Sequence, residues 1–221
     1  AQASDNITLD AAANDFDNDD SGDAVTITSG AAVTLVDVDA IELGAATVSG
    51  LYDVTATAID VTGAVSAGSL DFDASGGVGE ITDTGGSLSV AGTTTLAAQA
   101  SDNITLDAAA NDFDNDDTGD AVTISSGAAV TLADADSIEL GAVNVGSLVV
   151  QFARAAAGTL TQSGALTITG TAEFDAANGA SDIDLSTQAN DIGGAITVGT
   201  APNIRDLLIR NDNGGAAVPV L

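Results

Sequence analysis

The chain has 221 residues, with 33 Asp and Glu against three Lys and Arg, no His, and a net charge of −30 at pH 7. It has no Cys, Met or Trp, so it offers no imidazole base, thiol nucleophile or His- or Cys-held transition metal, and a surface this acidic repels nucleic-acid phosphates. Hydrophobic residues still make up 45%, too many for a disordered polyanion; they are mostly Ala, Val, Leu and Ile among 25 Gly and many Thr and Ser, which favours β-structure.

From the N-terminus the chain repeats apolar-polar-apolar triplets: Ile7-Thr8-Leu9, Val25-Thr26-Ile27, Val33-Thr34-Leu35, Ile41-Glu42-Leu43, Ile59-Asp60-Val61, Leu70-Asp71-Phe72 and Leu88-Ser89-Val90. Then the text restarts. Residues 1–45 recur as residues 98–142 at an offset of 97, with 40 of 45 positions identical, so Ile104-Thr105-Leu106 through Ile138-Glu139-Leu140 repeat the opening. Val36, Val38 and Ala40 change together to Ala133, Ala135 and Ser137, a drift in packing volume to which we attach no function. A divergent copy follows over 158–221: Gly158-Thr159-Leu160-Thr161 answers Gly79-Glu80-Ile81-Thr82, and Asn190-Asp191-Ile192 answers Asn111-Asp112-Phe113, without the acidic insert of the earlier copies. We therefore read one domain over 1–221, with internal repeats 1–97, 98–157 (truncated) and 158–221. The first copy opens in mid-repeat with no signal peptide ahead of it, as expected of a mature or excised piece.

Period-2 alternation over three to five residues, broken by Gly, Ser, Asn or Asp, predicts short strands with one buried face. Strands so short cannot hold a two-layer sandwich, but stacked rungs can share one continuous core. The fold expected is all-β, a right-handed parallel β-helix (β-solenoid). If the 97-residue unit holds four rungs, each takes about 24 residues, giving about nine rungs and a rod of about 40–45 Å. The alternative is a pair of immunoglobulin-like sandwiches, whose usual Trp and Tyr anchors are nearly absent here. No window of 18 apolar residues is free of polar interruption, so no membrane span is expected.

The most pointed candidate site is the acidic insert, with Asp15, Asp17, Asp19 and Asp23 in the first copy and Asp112, Asp114, Asp116 and Asp120 in the second. Carboxylates at alternating positions can converge on a Ca²⁺, which takes six to eight oxygens. The spacing starts like an Asp-x-Asp-x-Asp calcium loop, but Asp20 stands where that loop has Gly and no Glu closes it. A solvated acidic bulge is the other reading. The pairs Asp37/Asp39, Asp71/Asp73, Asp134/Asp136 and Asp182/Asp184 stand at i, i+2, a spacing from which a glycosidase could draw its acid and base. We read them as outward faces or turns of a repetitive rod, and the chain as no enzyme.

Charge is uneven along the chain. Residues 1–153 carry 26 acids and no base, whereas 154–221 carry seven acids and three Arg. Arg205, Leu207, Leu208, Ile209 and Arg210 lie where the repeat pattern breaks, and are either an ordinary capping turn or an assembly interface that meets the acidic end of another copy head to tail.

The phrases Gly158-Thr159-Leu160-Thr161-Gln162-Ser163-Gly164-Ala165-Leu166-Thr167-Ile168, Ser101-Asp102-Asn103-Ile104-Thr105-Leu106 and Ala110-Asn111-Asp112-Phe113 resemble the repeats of giant bacterial surface proteins, the filamentous-haemagglutinin-like and autotransporter-type adhesins. That resemblance implies a secreted, cell-surface, structural β-helix fibre that adheres to a receptor or a neighbouring cell. The alternative is a subunit that polymerises with itself into an extracellular filament or sheath through open β-helix ends.

Overall fold

A computed structural model of the chain describes residues 2–16, 22–116 and 118–214. Its strands form one parallel β-solenoid of about nine turns. The only helical element among the described residues is the 3₁₀ turn Ala201–Asn203, and no helix is long and apolar enough to cross a membrane.

Two long ladders run the length of the rod. Ladder 1 stacks ten strand segments through nine parallel pairings, from Ile7–Leu9 and Val33–Val36 down to Ile204–Asn211. Ladder 2 starts at the head of Ala40–Thr55 and continues through Ala58–Val61, Ile81–Thr82, Ile104–Leu106, Ala129–Ala133, Ser147–Phe152, Ala172–Ala176 and Ile196–Val198. Most triplets pair in register because they alternate strictly, and a slip of one residue would turn every apolar side chain outward; the register shift between Val122 and Ile124, against Leu140 and Val143, keeps apolar residues paired with apolar ones. The column Leu35, Val54, Phe72, Leu96 and Ile124 therefore runs down the interior fully buried. Ile59, Ile81 and Ile104 do the same beneath ladder 2.

Turn length varies where the sequence reading assumed a uniform 24. Tyr52 pairs with Leu70 after 18 residues, and Thr94 with Val122 after 28. The short turns are almost all strand: Ala40–Thr55 is one 16-residue strand whose in-out alternation breaks at Gly44 and around Gly50, where it rounds two corners. Glycine is needed at such corners because successive turns touch there. A Cβ on Gly68 would lie 2.4 Å from the Ser49 carbonyl oxygen, and one on Gly92 would lie 2.6 Å from that of Gly68. The long turns instead carry loops.

The 97-residue repeat does not close on a whole number of turns. Ile7 belongs to ladder 1, and the ladder has completed four turns by Thr94. Ile104, its equivalent, comes half a turn later, on ladder 2. Each copy thus advances about four and a half turns, not four, and equivalent residues face opposite sides of the rod. The third strand segment of each turn follows ladder 2 in the first half, as in Thr47, Ser66 and Ser89. In the second half it follows ladder 1, as in Asn144 and Thr167.

Candidate functional site

The second acidic insert leaves ladder 2 after Leu106 and rejoins ladder 1 at Val122, so it projects from one flank. Asp112 stays on the sheet, in a parallel bridge to Ser89. Beyond it the chain curls, and one carboxylate oxygen each from Asp114, Asp116 and Asp120 lie within 4.8 Å of one another. Gly119, at φ +88°, makes the curl possible. Its N–H donates to Asp114 at 2.8 Å, and the Thr118 hydroxyl lies 2.7 Å from Asp116 and 3.0 Å from Asp120, either of which can accept its single proton. Burial pushes the Asp114 carboxyl above the usual range against the pull of the Gly119 and Thr118 N–H groups. Three converging carboxylates form the kind of oxygen set a hard cation takes. In the first copy Asp15 and Asp23 are exposed, and Asp17 and Asp19 lie outside the described residues.

Both inserts are rooted by a buried aspartate from the next turn. Asp134 accepts the N–H groups of Phe113 and Asp136, both at 2.9 Å, and Asp37 accepts those of Phe16 at 2.9 Å and Asp39 at 3.0 Å. Burial drives the Asp134 carboxyl up to about 7, against the two N–H bonds that lower it. Asp37 and Asp134 were expected on outward faces or turns. They are turn residues, but their carboxylates point inward, because the insert's first N–H groups have no strand partner and need a buried acceptor. Asp71 and Asp73 do share an outward face, beside Asp53 on the turn above; burial raises Asp53 and Asp71, and repulsion within the trio adds to it. Asp182 holds Arg205, and Asp184 accepts from Ser186.

Sequence reasoning missed a set of corner asparagines. Buried Asn111 accepts the Leu88 N–H at 2.9 Å and donates to Asp83 at 2.7 Å. Buried Asn190 accepts the Leu166 N–H at 2.9 Å and donates to the Arg210 carbonyl at 2.9 Å, tying three turns together. The recurrence of Asn at 14, 111 and 190 was the available signal.

Two related grooves on the rod are acidic. One of about 190 Å³ lies among Glu42, Asp60 and Glu80, with Asp60 held by the Thr82 and Thr84 hydroxyls. Its half-turn counterpart lies beside Asp114 and Glu139. At the other end, Arg205 pairs with Asp182 and Asp206, and Arg210 with Asp212. On the same strand Leu207 and Ile209 rest on the core and Leu208 is half exposed.

Comparison with curated proteins and with solved structures returns no match. A family model described as repeats of unknown function (DUF5649) matches at residues 30–78, 63–119 and 127–199. The first and third matches begin 97 residues apart, the interval of the internal repeat. With most of its length covered, the chain belongs to this family of repeats.

Proposed function

We propose that this chain is a stiff, non-enzymatic segment of a secreted bacterial surface fibre that mediates adhesion or cell-cell contact. The observation that carries the reading is continuity: two ladders and one aliphatic core run through every turn. Load along the rod is shared by many backbone hydrogen bonds, and side chains project at fixed spacing. Calcium or another divalent cation taken by Asp114, Asp116 and Asp120 would offset repulsion within the insert and stiffen the flank. The role is mechanical: Asp37, Asp134 and Asp182, one from each of three acid pairs, bond neighbouring turns. Electron microscopy of the native material with and without a chelator, together with adhesion of beads coated with this chain, tests the reading. Rods that are about 40–45 Å long per copy and beads that hold to cells support it. Coated beads that fail to adhere to any cell surface, with no fibre in the native material, would overturn it.

The second reading is a subunit that polymerises head to tail. Exposed Arg205, Leu208 and Arg210 on one strand favour it. Arg205→Glu/Arg210→Glu protein that still enters filaments would remove it.

A further inference from the structure

Residues 1–27 and 98–124 differ only at Ser21 and Thr118, yet the first copy forms the amino-terminal edge of the rod while the second is covered by residues 79–97. Ile81 and Thr82 pair with Ile104 and Thr105, and strand Thr94–Ala98 pairs with Val122–Ser126. Under that cover Leu106, Asn111 and Phe113 have no solvent exposure. At the edge, Leu9 is 45% exposed and Asn14 and Phe16 are half-buried.

Polar contacts lock the cover in place. Buried Asp83 accepts the Asp107 N–H at 3.1 Å, the Ala108 N–H at 3.0 Å and the Asn111 side-chain amide at 2.7 Å. Asn111 accepts the Leu88 N–H at 2.9 Å, and Asp102 accepts that of Gly79 at 2.9 Å. The joint recurs one copy later: Gln162, which stands where Asp83 does, pairs with Asn190 at 2.9 Å, and Asn190 accepts the Leu166 N–H. At the edge, no carboxylate among the described residues meets the Asp10 and Ala11 N–H groups, and the Asn14 amide turns back to the Leu9 carbonyl at 2.9 Å. The loop is already shaped all the same. The Asn14 N–H donates to the Ala11 carbonyl at 2.9 Å, as the Asn111 N–H does to that of Ala108 at 3.0 Å.

We propose that the amino-terminal edge, residues 5–14 and 25–27, is a docking site for another repeat of this family, which it recognises through a turn of the 79–97 type. The chain itself selects this occupant, since it seats such a turn on the same residues 97 positions later. Strand addition supplies ladder hydrogen bonds, the aspartate equivalent to Asp83 supplies a buried acceptor for Asp10, Ala11 and Asn14, and the preformed loop lowers the ordering cost. The carboxyl-terminal strand Ile204–Asn211 of a second copy does not repeat residues 79–97 and is not the occupant. The proposal is independent of the adhesive reading, and it differs from head-to-tail polymerisation in what the edge accepts.

Because the chain has no cysteine, a single introduced thiol reports whether the edge is covered. In the full chain, Leu9→Cys should react with a maleimide at least about tenfold faster than Leu106→Cys, because a buried site labels only through local opening. Joining residues 1–97 ahead of residue 1 seats a 79–97 turn on the edge. There Leu9→Cys in the original segment should slow to the Leu106→Cys rate, and Asp83→Ala in the added segment should restore part of its reactivity. Excess wild-type chain should leave Leu9→Cys of the unextended chain as reactive as before. Circular dichroism matching wild type shows that each protein is folded. Labelling as fast in the extended chain as in the unextended one overturns the proposal. Full protection despite Asp83→Ala also overturns it, since any strand would then serve. Protection by excess wild-type chain overturns it too, and would favour polymerisation through the carboxyl end.

Discussion

The Asp134 carboxylate accepts the Phe113 N–H at 2.9 Å, joining the root of an acidic insert to the turn that follows it. The same carboxylate accepts the Asp136 N–H, and Asp134 has no solvent exposure. It stabilises by satisfying two N–H groups and costs free energy through its own buried charge.

Asp134→Ala removes the acceptor and leaves both N–H groups short of a partner, so it should destabilise the fold by about 1–3 kcal/mol, as measured by urea unfolding. The pH dependence has a defined sign. The folded carboxyl titrates at about 7, raised from 3.8, so between these values the folded state binds the extra proton. Its contribution to stability is fully present below the unfolded pKa and is lost as pH rises through about 7. Asp134→Asn, which carries no titratable group, should flatten the unfolding midpoint between these values. A variant with the wild-type pH profile would show that Asp134 is not the group responsible.

The stacked acids of ladder 1 should behave in the same direction. Burial and mutual repulsion raise Asp53 and Asp71 above their ordinary values, so stability is lost as pH rises through their folded pKa values. Asp71→Asn should raise the melting temperature at neutral pH, by less at high salt, because the trio is largely solvent-facing and screened. Thermal scans of both proteins at two salt concentrations check this, and a melting temperature lowered by the substitution would contradict it.

Two hydroxyls in the core have no hydrogen-bond partner among the described residues: Tyr52 Oη and Thr94 Oγ1. Both residues are fully buried on the inward side of ladder 1, two turns apart, and Tyr52 meets Phe72 edge-on with ring centroids 6.0 Å apart. An unmade buried hydrogen bond costs about 1–3 kcal/mol, so removing the hydroxyl while keeping the shape should help. Tyr52→Phe and Thr94→Val are each expected to stabilise the protein by about 1 kcal/mol, measured by denaturant unfolding. Losses of that size would mean that the hydroxyls are bonded in solution.

Much of this architecture was legible in the sequence. Leu70-Asp71-Phe72 and Ile104-Thr105-Leu106 are strands with their outer residues buried, because alternation and burial are the same signal in a one-faced strand. The half-turn offset was not legible. Ile7 and Ile104 sit in nearly identical local text, and only long-range pairing shows that one lies on ladder 1 and the other on ladder 2. Asp37 and Asp134 lie in turns, as one of the two readings had it, but the inward aim of their carboxylates was not legible for a related reason: an aspartate in a turn reads as solvent-facing unless the N–H groups it must satisfy, 21 residues earlier, are already known to lack partners. The Asp114, Asp116 and Asp120 cluster was visible as spacing, but the exclusion of Asp112 from it follows from its bridge to Ser89.

Corner glycines give a final test that separates close approach from mere flexibility. A Cβ at Gly68 would lie 2.4 Å from the Ser49 carbonyl oxygen and 3.0 Å from the Gly50 Cα; both are backbone atoms fixed by the ladders, so the turn cannot yield without lengthening hydrogen bonds above it. Gly76, in the loop after Ala64–Ala74, has nothing within 4 Å of the same position. Gly68→Ala should therefore cost about 1–3 kcal/mol through overpacking, whereas Gly76→Ala should be neutral or stabilise by up to about 1 kcal/mol by restricting the unfolded chain. Neither glycine has a positive φ, so the difference between the two variants reports contact between turns alone. Equal midpoints in urea would mean that the turns are less tightly stacked in solution than this arrangement requires.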